Sequence, residues 1–183
     1  NGEFTVLGEP ISVGDFPDSI VLEDIDGDGV KDLVTINGSS RDISVLLGDG
    51  GGGFTEVMGS PFAAGPLPRS PALGDTDGNG TIDLVWVNLF RNEMRVLLGD
   101  GNGGFTPAVA SPVTVGDRPE SVRLGDINGD GMLDAVVANR GSNDISILLG
   151  DGTGSFSEAD DSPIAVGQNP FSVALGDVDG DGV

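Results

Sequence analysis

The chain has no cysteine, no histidine and no tyrosine among its 183 residues. Without cysteine there is no disulfide framework, and thiol count says nothing about the compartment. Without cysteine or histidine, zinc and copper lose their preferred ligands. Cations are scarce, with eight lysines and arginines against thirty aspartates and glutamates and a formal net charge of −22. So few cations leave no basic patch, which argues against DNA, RNA and anionic membrane surfaces as partners. No apolar run reaches the length of a membrane-spanning helix, so membrane insertion is not expected.

What is abundant is glycine, at 32 residues, and aspartate in a fixed pattern. Asp24, Asp26, Asp28 and Asp32 alternate with glycines, and the cluster returns every 51 residues. The second copy holds Asp75, Asp77, Asn79 and Asp83, and the third Asp126, Asn128, Asp130 and Asp134. A fourth, with Asp177, Asp179, Asp181 and Val183, runs to the end of the chain. Oxygen donors on alternate residues suit a hard divalent cation, and Ca2+ accepts six to eight of them in a flexible shell. Mg2+ demands stricter octahedral geometry and keeps its waters, so it is the weaker candidate. Side chains at positions 1, 3, 5 and 9 supply the candidate ligands. Position 7 offers a backbone carbonyl, from Val30, Thr81, Met132 and Val183 in turn. Three complete Ca2+ sites are expected, with a fourth at the C-terminus. Plain polar turns would account for two or three such residues per copy. They would not account for this many mutually repelling carboxylates at fixed positions.

The loop matches an EF-hand only at its start. An EF-hand requires a glutamate at position 12, where this chain has Thr35, Trp86 and Val137. The flanks also read as strands. Short apolar runs such as Ser19–Leu22 precede each loop, and β-branched runs such as Asp32–Asn37 follow it. A third strand is expected at Asp42–Leu47, then a glycine-rich loop from Gly48 to Phe54, whose Phe opens a fourth strand. A phosphate-binding role for that loop is excluded by the missing Lys-Ser/Thr pair and following helix. Its glycines do not recur every nine residues, so a calcium β-helix fails too. Four short strands per repeat of this length describe the blade of a β-propeller.

The chain is therefore expected to be all-β, a β-propeller of four-stranded antiparallel blades. At 183 residues it holds about 3.6 blades. Residues 1–183 form one array, with units near 19–69, 70–120 and 121–171 and partial units at 1–18 and 172–183. Both ends are expected to cut through repeats of a longer chain, or of a ring completed by a second copy.

The run Pro119–Val136, echoed at Pro170–Val183, resembles the FG-GAP or VCBS-type repeat shared by integrin α-chain propellers and many secreted bacterial proteins. The resemblance covers essentially the whole chain. It implies a Ca2+-bearing propeller, often seven-bladed, working outside the cell in adhesion or ligand binding. It also carries the metal positions onto Asp24, Asp26, Asp28, Asp32 and their counterparts. Two departures stand out. Glu23 replaces the Gly found at 74, 125 and 176, and Pro71 interrupts the strand before the second loop, which it is expected to bend or shorten.

The leading functional reading is a secreted, non-catalytic binding or scaffold module with structural Ca2+ and a protein or glycan ligand. The alternatives are a propeller domain of a polysaccharide-active enzyme, a lectin, and a filament subunit formed by self-association. Catalytic residues break a repeat, since one site serves the whole ring. The exceptions here, Arg69, Trp86, Phe90, Arg91 and Arg140, read as surface or contact residues, with packing between blades favoured over ligand stacking for Trp86. Asn37-Gly38-Ser39 is a glycosylation sequon expected on a loop.

Overall fold

The computed structural model describes residues 10–177. These form three antiparallel sheets in chain order and, among the described residues, no helix. The first sheet holds β1 (Pro17–Glu23), β2 (Asp32–Asn37), β3 (Asp42–Gly48), β4 (Phe54–Glu56) and β5 (Phe62–Ala63). The second repeats it with β6 (Pro68–Gly74), β7 (Asp83–Asn88), β8 (Glu93–Gly99), β9 (Phe105–Pro107) and β10 (Val113–Thr114). The third has β11 (Pro119–Gly125), β12 (Asp134–Asn139), β13 (Asp144–Gly150), β14 (Phe156–Glu158) and β15 (Ile164–Ala165). Each sheet is a propeller blade. The first strands of neighbouring blades pack side by side, β6 lying against both β1 and β11. They mark the axial side.

The acidic loop joins β1 to β2 as expected, and the glycine loop joins β3 to β4. The fourth strand is not continuous. β4 and β5 both pair with β3, one at each end of it. Between them the ladder is interrupted, and the Val45 amide donates instead to Ser60 Oγ at 3.1 Å. Ser111 and Ser162 accept from Val96 and Ile147 in the same way. A hydroxyl thus replaces a backbone carbonyl and keeps a ladder N–H satisfied.

The second strand of each blade is buried along its full length. Its alternate residues serve different cores. Leu84 and Trp86 face the first blade, joining Val34, Ile36, Ile43 and Val45. Val85 and Val87 face the third, joining Met94, Val122, Ala135 and Val137. Because both faces of a blade are covered, the strand reads as a continuous apolar run rather than an alternating one. Trp86 is 1% exposed and its Nε1 donates to the Ala64 carbonyl of the first blade at 3.0 Å. It is interblade packing, as its place in the repeat suggested.

Pro71 does not shorten its strand, since β6 has seven residues like β1 and β11. It widens a bulge instead. In β1 the register steps between Pro17 and Ser19, but in β6 the step spans Arg69 to Ala72. Proline has no N–H to give the ladder, and Ser70 beside it adopts a φ of 50°. The freed Ser70 hydroxyl accepts from the Val122 amide at 3.1 Å, tying the second blade to the third. Ser70→Ala is expected to lower stability by about 1 kcal/mol. An unchanged midpoint in urea would show that this tie carries nothing.

The Asn37 sequon is a correction. Asn37 ends β2, fully buried, and its Nδ2 donates to Asp42 Oδ1 and Ser44 Oγ. The folded chain cannot present it to a glycosyltransferase. Asn139 is held in the same way by Asp144 and Ser146. The other departure from the repeat, Glu23, pairs with Lys31 at 2.5 Å across the base of the first acidic loop. Both partners are well exposed, so the pair adds little to stability.

Candidate metal loops and the axial cluster

Each acidic loop is shaped by its own carboxylates before any ion is considered. Asp24 Oδ1 accepts from the Gly27 amide at 2.8 Å and Oδ2 from the Gly29 amide at 2.9 Å. Asp26 accepts from Asp28, and Asp28 from Val30. The chain can curl this tightly because Gly27 and Gly29 sit at φ of 76° and 86°, where side chains are strained. The third loop repeats the pattern, with Asp126 accepting from Gly129 and Gly131 and Asp130 from Met132.

The ninth-position aspartates do something more. Asp32, Asp83 and Asp134 are buried at the start of their strands. Asp32 Oδ2 accepts from Ile25, at the head of the acidic loop, and Oδ1 from Gly48, at the end of β3. Asp83 takes the Thr76 amide and hydroxyl on one oxygen and Gly99 on the other. Asp134 bonds Ile127 and Gly150. Each therefore staples the acidic loop to the glycine loop. Gly99 has to be glycine here, because a Cβ would lie 2.1 Å from the Ile82 carbonyl oxygen.

The glycine loops are plain turns. Asp49 Oδ1 accepts from both Gly51 and Gly53, and these bonds hold its carboxyl below the usual range. Asp151 is lowered by the Thr153 hydroxyl and amide in the same position.

Carboxylate oxygens of Asp24, Asp26 and Asp28 all lie within 4.8 Å of one another, as do those of Asp75, Asp77 and Asp83. The two groups can hold a metal ion. An oxygen that accepts one amide keeps a second lone pair, and at Asp83 that oxygen is Oδ1, since Oδ2 already accepts two bonds from Thr76. The donors are all oxygen and include no soft atom, which fits a hard divalent cation. Charge crowding is visible at Asp77, whose carboxyl is pushed up by burial and further by Asp83 and Asp75. A cation at that point would relieve it. In the second and third loops an amide intervenes, with Asn79 Nδ2 donating to Asp77 and Asn128 Nδ2 to Asp130. Asp126 is held low chiefly by the Gly131 amide. At position 7 the Val30, Thr81 and Met132 amides donate to the position-5 side chains of Asp28, Asn79 and Asp130. Of the fourth loop only Asp177 is described, and Asp179, Asp181 and Val183 lie outside the described residues.

A second cluster sits on the axial side. Arg69 Nη1 lies 2.8 Å from Asp18 and its Nε 3.7 Å from Glu120. Arg140 Nη1 lies 3.3 Å from the other oxygen of Glu120. The sequence marked Arg69 and Arg140 as exceptions but gave no sign of their acidic partners. Arg69's two partners each lie one repeat length away, on opposite sides of it in the chain, and Arg140's lies 20 residues back, separations no local pattern encodes. Phe90, by contrast, is simply exposed.

No curated protein matches the chain at a significant level. Among solved structures, a provisionally named 6-phosphogluconolactonase from Bacteroides fragilis is 20% identical, with a TM-score of 0.65 over 88% of this chain and 42% of that one. A lectin from Agrocybe aegerita, specific for non-reducing terminal N-acetylglucosamine, is also 20% identical. Its TM-score is 0.53 over 86% of this chain and 40% of that one. At such identity the likeness is one of fold, and this chain spans less than half of either. The model of the FG-GAP-like repeat matches three times, over residues 24–86, 77–137 and 126–183. The chain belongs to the FG-GAP-like repeat family, and its three described blades are part of an FG-GAP β-propeller.

Proposed function

We propose that this chain is a calcium-stabilised, non-catalytic binding module that works outside the cell. The observation that carries the reading is the convergence of three carboxylates in each of two equivalent loops. Asp24, Asp26, Asp28 and Asp32, with their counterparts, would hold the ion, and backbone carbonyls at position 7 would add to its shell. The bound ion supplies charge neutralisation and nothing reactive. The residues themselves fix the hairpins that join the first two strands of each blade.

The extracellular placement is supported by the affinity that modules of this kind have for Ca2+. Extracellular modules bind Ca2+ at about 10⁻⁴–10⁻³ M, which serves only where Ca2+ is plentiful. The family's association with secreted and cell-surface proteins supports the same placement. A binding role is favoured over catalysis because the chain has neither histidine nor cysteine, and the charged groups that break its repeat at the axis neutralise one another. A protein or glycan is the class of partner we infer.

Thermal unfolding with and without chelator tests the reading. At tenfold over Kd, each site contributes about 1.4 kcal/mol. Chelation is expected to lower Tm, with Ca2+ restoring it and Mg2+ not. An unchanged Tm would mean the loops are turns and the calcium reading is wrong.

A further inference from the structure

Positions 18, 69, 120 and 171 are equivalent in the repeat, and they carry Asp, Arg, Glu and Phe. The next position is serine every time, at Ser19, Ser70, Ser121 and Ser172. So a serine kept in every copy stands beside a residue that differs in every copy. In the first and third blades the backbone explains why the variable position is free, whereas Arg69 in the second keeps its partner Val87. The ladder register steps between Pro17 and Ser19 in β1 and between Pro119 and Ser121 in β11. Asp18 and Glu120 are the residues stepped over. Bulges of this kind re-aim a side chain and gather near functional sites.

All four variable residues, with their serines and Arg140, line one cavity of about 440 Å3 on the axial side. Asp18, Arg69, Glu120 and Arg140 form an alternating chain of charges that sums to zero. The Glu120 side chain is only 6% exposed, so the chain is fixed in place. An interblade clasp would account for the ion pairs alone. It would not account for the cavity these residues share, or for the aromatic ring of Phe171 at its edge.

The chemistry selects a ligand class. An anion would meet Asp18, Glu120 and the field of a chain with net charge −22. A cation would meet two guanidinium groups. A neutral polyhydroxyl ring meets fixed acceptors, fixed donors, serine hydroxyls and a flat apolar face on which to stack. We propose that the axial cavity is a binding site for a neutral sugar residue, stacked on Phe171 and hydrogen-bonded by the Asp18–Arg69–Glu120–Arg140 chain. The proposal rests on the binding-module reading above and gives it a site and a ligand class.

The test is a two-dimensional NMR titration of the full chain in saturating Ca2+. The probes are the methyl glycosides of glucose, galactose and mannose, with methyl glucuronide as the charged comparator. At least one neutral glycoside is expected to shift the amides of Asp18, Arg69, Glu120 and Phe171 saturably. Phe171→Ala is expected to weaken it by about fivefold, and Met58→Ala, exposed on the outer edge, to leave it unchanged. No saturable shift, shifts clustered elsewhere, preference for the glucuronide, or an unaffected Phe171→Ala variant would each overturn the proposal. Calcium-dependent melting is read on the same samples. A preserved melting shift with a silent cavity would remove the sugar site and leave the calcium module standing. A saturable cavity response without a melting shift would do the reverse.

Discussion

Asp83→Ala is expected to destabilise the chain by about 3–5 kcal/mol, and to do so with chelator present. The side chain is fully buried. One oxygen accepts from the Thr76 amide at 2.8 Å and the Thr76 hydroxyl at 2.6 Å. The other accepts from the Gly99 amide at 2.9 Å. Alanine removes all three acceptor contacts and leaves buried donors with nothing to face. Hydrogen bonds to a charged group contribute about 1.5–3 kcal/mol each. Asp83→Asn separates shape from charge. It keeps one acceptor but must turn an NH2 toward either Thr76 or Gly99, so it should retain only part of the stability. Urea denaturation in excess Ca2+ and in chelator divides the loss. The part that survives chelation belongs to the staple, and the part that disappears belongs to the ion. A loss below about 1 kcal/mol in chelator would mean Asp83 acts only as a metal ligand.

The second large effect is expected at Trp86, the one tryptophan of the chain. Trp86→Ala should cost about 3–5 kcal/mol, because the ring fills the core between the first two blades. The Ala64 carbonyl also loses its donor. Trp86→Phe keeps most of the apolar volume and should lose less than half as much. The measurement is denaturant unfolding followed by circular dichroism, since the variants carry no tryptophan fluorescence. Equal losses for both variants would show that the indole N–H, and not the packing, is what the site requires.

Most of the blade was legible because the repeat states it three times. A β-branched run after each acidic loop gives the buried second strand, and the phenylalanine after each glycine loop gives the start of the fourth. What was not legible depends on contacts between distant residues. The break between β4 and β5 comes from a serine hydroxyl taking a ladder position 15 residues away. The second role of Asp32 and its equivalents depends on Gly48, 16 residues on. Spacing alone marks these aspartates as ligands and cannot reveal the staple. The Asn37 sequon misled for the same reason, since three residues of motif carry no information about burial. Pro71 was readable as a disturbance, but its outcome, a wider bulge with Ser70 reaching the next blade, is set by Val122 in another blade.

The step in the ladder at the head of β1 and β11 separates inheritance of the fold from inheritance of specificity. A mutation at position 18 or 120 removes no strand-pairing bond, because neither residue has a register partner there. Selection can therefore change that side chain while the blade around it stays intact. In the second blade the step falls one residue further on and Arg69 keeps its partner Val87, so the position is stepped over in two of the three described blades. A lineage built of such blades can explore new recognition chemistry one codon at a time, and the serine that follows each time is the part it does not vary.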